Sequence, residues 1–103
     1  MQKVVFMIYT IEEIKNTAIP IIEEYGVNRL SLFGSYARGE ADEESDIDFL
    51  IDKGNLKGFI QYNALIRKLE EAFDCHVDLI TMGTSDREFL KRIKREELVI
   101  YER

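Results

Sequence analysis

Gly34-Ser-Tyr-Ala-Arg-Gly-Glu-Ala41, followed at once by Asp42-Glu-Glu-Ser-Asp-Ile-Asp-Phe-Leu-Ile-Asp52, is the stretch that decides how this 103-residue chain is read. Leu30 to Phe33 runs into it as a short apolar strand that Gly34 ends. Ile47 to Ile51 reads as a second strand: alternation puts Ile47, Phe49 and Ile51 on one face and Asp46 and Asp48 on the other. Between Gly34 and Asp52 there is one base, Arg38, against seven acids, and this stretch carries the whole formal net charge of −6.

A glycine at a strand exit lets backbone approach a ligand closely, and a helical turn starting there aims free N–H groups outward. Gly34 and Ser35 therefore offer a small phosphate cradle, although an isolated Gly-Ser is far more often a plain turn. Asp46 and Asp48 lie eleven and thirteen residues beyond Ser35. Two carboxylates on one strand face repel unless a cation lies between them, and Mg²⁺, hard and oxygen-seeking, suits the pair. An isolated Asp-x-Asp is more often a solvated edge strand.

Asp78 adds a third carboxylate, inside His76-Val-Asp-Leu-Ile80, where a central, fully apolar strand is expected. An ionised group there is costly unless paired or bound to metal. Three carboxylates on two strands beside a phosphate cradle match a two-metal phosphoryl- or nucleotidyl-transfer centre.

Outward from this centre, Thr10-Ile-Glu-Glu13 reads as a capping box opening a helix to about Tyr25, which Gly26 ends. Pro20 either kinks it or marks a restart near Asn16. From Leu56 to Phe73 the residues Phe59, Tyr62, Ile66, Leu69 and Phe73 form one helical stripe. Ser85-Asp-Arg-Glu88 reads as a second capping box before a basic helix with Phe89, Leu90 and Ile93 inward. Met1 to Tyr9 is a short strand or a docked tail, and so is Leu98 to Tyr101. The pattern predicts one α/β domain over 1–103, a small mixed sheet with helices packed on it.

Composition excludes much else. One cysteine, Cys75, makes no internal disulfide and no Cys-based zinc site. The longest apolar run, Val4 to Tyr9, is too short to span a membrane or serve as a signal peptide, predicting a soluble cytoplasmic protein with no membrane partner. Net acidity argues against direct nucleic-acid binding, which needs a basic patch. Of the remaining acids, Asp52 reads as a strand-end carboxylate and Glu40 to Glu44 as a solvated loop. Arg38 suits either a nucleotide phosphate or an ion pair. His76 and Cys75, as strand neighbours, point to opposite faces and do not read as a metal pair. Tyr9, Tyr36 and Tyr101 read as packing residues.

With Gly34-Ser-Tyr-Ala-Arg-Gly-Glu-Ala41 and Ser45-Asp-Ile-Asp48 in view, the chain resembles the polymerase-beta-type nucleotidyltransferases, and more narrowly the minimal nucleotidyltransferases, the MntA-like antitoxins. The resemblance implies that core fold over nearly the whole chain, with Gly34 and Ser35 holding nucleotide phosphates and Asp46, Asp48 and Asp78 catalytic and metal-binding, two Mg²⁺ ions being implied. It implies transfer of AMP from ATP to a hydroxyl, in that group a tyrosine of a partner HEPN-type ribonuclease toxin, and so a hetero-oligomer. The chain's size leaves no second domain to shape an acceptor site, which points to another chain. Two alternatives stand beside this: a small-molecule hydroxyl as acceptor, and a non-catalytic antitoxin that blocks its partner by binding.

Overall fold

The computed structural model of the chain describes residues 8–103. The elements run α1 (Ile11–Glu24), β1 (Arg29–Phe33), α2 (Gly34–Arg38), β2 (Ile47–Asp52), α3 (Gly58–Phe73), β3 (Val77–Thr81), α4 (Arg87–Glu96) and β4 (Leu98–Glu102). The strand order is β3-β2-β1-β4. β1 pairs antiparallel with both β2 and β4, while β2 and β3, joined through α3, run parallel. This is the expected mixed sheet. Most of Met1 to Tyr9, residues 1–7, lies outside the described residues. Tyr9 itself packs edge-on against Phe73 and its hydroxyl donates to the Phe73 carbonyl at 2.5 Å.

Strands β1, β2 and β3 alternate between two apolar layers. Leu30, Leu32, Ile47, Phe49, Ile51, Val77 and Leu79 meet Ile14, Ala18 and Ile22 of α1 and Leu65, Leu69 and Phe73 of α3. Phe33 and Leu50 face the other way, against Leu90 and Ile93 of α4. Asp48 has the parity of Leu50, and Asp78 the parity of Ile80, so both carboxylates project from the face that α4 covers.

Thr10 caps α1 as expected: its hydroxyl accepts from Glu13 N–H at 3.0 Å, and Glu13 accepts from Thr10 N–H at 2.9 Å. The helix is continuous through Pro20. Pro20 and Asn16 are both exposed, so water can serve the carbonyl that proline leaves without a donor.

Three expectations shift. Helix α3 starts at Gly58, and Leu56 plugs the core from the preceding loop, so the first helical turn stands outside: Phe59 is 79% exposed and Leu65 takes the core position instead. The cap of α4 is Asp86, whose carboxylate accepts from Phe89 N–H at 3.0 Å. Ser85 falls one residue short, and no capping box forms. Leu98 to Tyr101 takes the first of its two readings: it is a strand, part of β4 at the sheet edge. Finally β3 is an edge strand too, so Asp78 is not a buried central-strand charge. Its side chain is 52% exposed.

Candidate functional site

The site is assembled by strand register. Phe33, which precedes Gly34, pairs with Asp48 across β1 and β2, and Asp48 pairs with Asp78 across β2 and β3. These pairings bring the glycine-serine turn, Asp48 and Asp78 into one row across three strands. Asp46 joins from the residue before β2, where Ile47 N–H is held by the His76 carbonyl at 3.1 Å.

At the turn, Phe33 is extended and Gly34 turns to a φ of 72°, opening the short helix α2. A Cβ at Gly34 would overlap Asp48 Oδ2 and come within 3.1 Å of its Cγ. Only glycine fits both the left-handed backbone and that approach. Ser35 follows, half-buried.

Asp48 is the electrostatic centre. Its carboxyl is pushed up to about 7, first by burial, then by the carboxylates of Asp78 and Asp46, with Arg38 pulling the other way. A carboxylate so placed is short of a cation. Ligand atoms of Asp46, Asp78 and His76 lie within 4.8 Å of one another, all three residues being exposed. Oxygen-rich, crowded and open to solvent, these residues fit a hard divalent ion.

His76 is the residue that sequence reasoning passed over. It shares strand parity with Asp78, and its Nε2 sits 3.0 Å from Asp78 Oδ1 while Nδ1 sits 3.1 Å from Glu70 Oε2. The contact with Asp78 raises its pKa. The pairing of His76 with Cys75 fails on a strand, whereas the i and i+2 spacing of His76 and Asp78 is the signal in the sequence for this contact. Arg38 forms ion pairs, with Glu40 at 2.5 Å and Glu96 at 3.1 Å. Asp52 is a turn carboxylate that accepts from Gly54 N–H. Glu40 and Asp42 to Glu44 are exposed. Tyr36 is buried, its hydroxyl accepting from Tyr9 N–H.

A glycine-serine turn set against crowded carboxylates on the sheet is an arrangement suited to phosphoryl or nucleotidyl transfer with a divalent metal, and the chain can be set beside known proteins. The family model described as Polymerase beta, Nucleotidyltransferase matches residues 16–103. The protein adenylyltransferase MntA of Thermococcus cleftensis is 33% identical over 96 residues, covering 89% of this chain and 95% of that one. A Methanocaldococcus jannaschii chain provisionally named a protein adenylyltransferase is 42% identical over 79 residues, 75% of this chain and 79% of its own. Among solved structures, a toxin-antitoxin crystallised with AMP-PNP superposes with a TM-score of 0.76 at 23% identity, over 86% of this chain and 73% of that chain. The chain belongs to the polymerase-beta nucleotidyltransferase family, and it is a nucleotidyltransferase of the minimal, MntA-related kind. Among the described residues no helix is long and apolar enough to cross a membrane.

Proposed function

We propose that this protein transfers AMP from ATP to a hydroxyl, a tyrosine of a HEPN-type ribonuclease toxin, and so acts as that toxin's antitoxin. One observation carries the chemistry: Asp46, Asp48 and Asp78 gather on one sheet face beside the Gly34-Ser35 turn. The choice of acceptor is supported by the MntA relative, named as a protein adenylyltransferase, and by a structural neighbour described as a tri-AMPylated Shewanella oneidensis HEPN toxin with its MNT antitoxin.

In this reading the Gly34-Ser35 turn seats the triphosphate: Gly34, lacking a side chain, lets the phosphates approach the backbone, and Ser35 offers its N–H and hydroxyl as donors. Asp46, Asp48 and Asp78 would hold Mg²⁺, two ions in the expected arrangement. When bound, the metal supplies positive charge against the triphosphate and acidifies the acceptor hydroxyl. Asp78, open to solvent on the edge strand, would take the proton of that hydroxyl. The acceptor oxygen bonds to the α-phosphorus, the bond from that phosphorus to the bridging oxygen breaks, and pyrophosphate leaves. Positioning and charge do the work, without a covalent enzyme intermediate.

The test is intact-mass analysis of a co-expressed HEPN-type partner incubated with this protein and Mg-ATP. Mass increments of AMP on the partner support the proposal. A partner that stays unmodified with every nucleoside triphosphate sinks it, and neutralisation that persists in an Asp46→Asn, Asp48→Asn double variant shows blocking by contact instead.

A further inference from the structure

A carboxylate from the far end of the chain holds the glycine-serine turn in place. Glu96, in the last turn of α4, accepts a hydrogen bond from Gly34 N–H at 3.0 Å through Oε1. Both its oxygens also accept from Arg38 Nη1, at 3.3 and 3.1 Å. One side chain therefore ties the first and last residues of α2, which contains Ser35, to a helix 62 positions away.

This support has a fixed base. The next residue, Glu97, makes a two-point contact with Arg29 of β1, at 2.9 and 3.0 Å, with little of either side chain exposed. Carboxylates in the last turn of a helix lie against the negative end of its dipole. Glu96 and Glu97 oppose that preference together, and each is engaged by partners outside α4. The peptide that Glu96 grips is the one that cannot shift freely. Gly34 sits at φ 72° against the Asp48 carboxylate, and its orientation sets the direction in which Ser35 presents its N–H and hydroxyl. Glu96 is only part-buried, at 30% side-chain exposure, so filling the core does not explain it.

We infer that Glu96 is a positioning residue for the phosphate-binding turn, setting the affinity for the nucleotide's phosphates without touching the reacting atoms. The inference rests on the proposed nucleotidyl transfer from ATP. Glu96 already occupies Gly34 N–H, so the donors left for phosphate are those of Ser35 and beyond, aimed by the grip behind them.

Three variants test it: Glu96→Ala removes the grip, Glu96→Gln keeps an acceptor of the same reach, and Glu96→Asp keeps the charge with a shorter reach. KM and kcat for ATP in AMP transfer are measured together with equilibrium binding of a non-hydrolysable ATP analogue in Mg²⁺, with far-UV circular dichroism and thermal unfolding as folding controls. The expected result is a KM and dissociation constant raised about tenfold in Glu96→Ala and Glu96→Asp, with kcat changed less than about threefold, and rescue to within about threefold of wild type in Glu96→Gln. An unchanged affinity in folded Glu96→Ala overturns the inference. A tighter affinity also overturns it, because the carboxylate would then be competing with phosphate. If Glu96→Ala does not fold, Glu96→Asp against Glu96→Gln decides: equal affinities overturn the inference. Absence of AMP transfer by the wild type strikes the proposed function, whereas wild-type activity with no change in any folded variant strikes only the role of Glu96.

Discussion

Gly34 and Asp48 approach so closely that a Cβ on the glycine would overlap the Asp48 carboxylate oxygen. The turn and β2 thus share one space, and neither can be altered alone. Gly34→Ala is expected to cost about 1–2 kcal/mol of stability, from strain at positive φ and the displaced carboxylate. It should also lower AMP transfer by about a hundredfold or more. Urea unfolding and a radiolabel transfer assay check this; full activity in a folded variant would mean the turn does not need glycine.

The carboxylates themselves predict a separation of binding from chemistry. Asp46→Asn and Asp48→Asn should each reduce AMP transfer by about two orders of magnitude or more, since each removes a negative ligand from the crowded face. A complex with the partner should survive both changes, as measured by co-purification. Mg²⁺ binding followed by calorimetry should weaken in parallel with activity.

How much of this could be read beforehand depends on which physical signal each residue gave. The strand carrying Ile47, Phe49 and Ile51 was plain, because period-two alternation with carboxylates opposite has few other readings. So was the Thr10 cap, a local pattern satisfied locally. Phe59 misled because helical periodicity does not say where a helix begins to overhang its sheet; the exposed first turn of α3 is set by Leu56 and the loop. Asp78 was picked out for burial that an edge strand does not impose, and it earns its place through register with Asp48. His76 and Glu96 needed three dimensions, since their meaning lies in contacts with Asp78 and Gly34.

The corrected core can be weighed directly. Leu65 is fully buried between α3 and the sheet, so Leu65→Ala should cost about 3 kcal/mol. Phe59, the larger residue and the one periodicity favoured, should cost less than about 0.5 kcal/mol on the same change. Chemical denaturation of the two variants side by side settles it, and a reversal of that order would place α3 in a different register on the sheet.

Asp48 gives a pH signature. In the metal-free protein its carboxyl titrates near 7, pushed up by burial and by Asp78 and Asp46, whereas in the unfolded chain it titrates near 3.8. Between those values the folded state holds the extra proton, so stability falls as pH rises through the window and the loss is complete above it. His76, raised chiefly by its hydrogen bond to Asp78, acts in the same sense, its contribution fading as pH climbs. The comparison is therefore between slopes: from pH 5 to pH 8 the wild type should lose more stability than Asp48→Asn. Added Mg²⁺ should recover the wild type at pH 8. Parallel slopes would show that Asp48 is not crowded in the folded state.

Glu97 predicts the opposite sign at the acid end. Held chiefly by its hydrogen bond to Arg29, its carboxyl sits at about 2 against an unfolded value of 4.5. A depressed carboxylate contributes stability that is complete above 4.5 and is lost as pH falls through 2. Glu97→Gln should therefore be less stable than wild type at pH 7, by about 2 kcal/mol, since Arg29 then loses its nearly buried carboxylate partner and is left with the exposed Glu102. The gap should close as pH drops from 4.5 to 2, where the wild-type carboxyl gains its proton. Guanidinium unfolding at pH 7, 4 and 2.5 measures it. A gap that stays constant with pH would mean that packing, not the ion pair, fixes the end of α4 to β1, and with it the base on which Glu96 reaches Gly34.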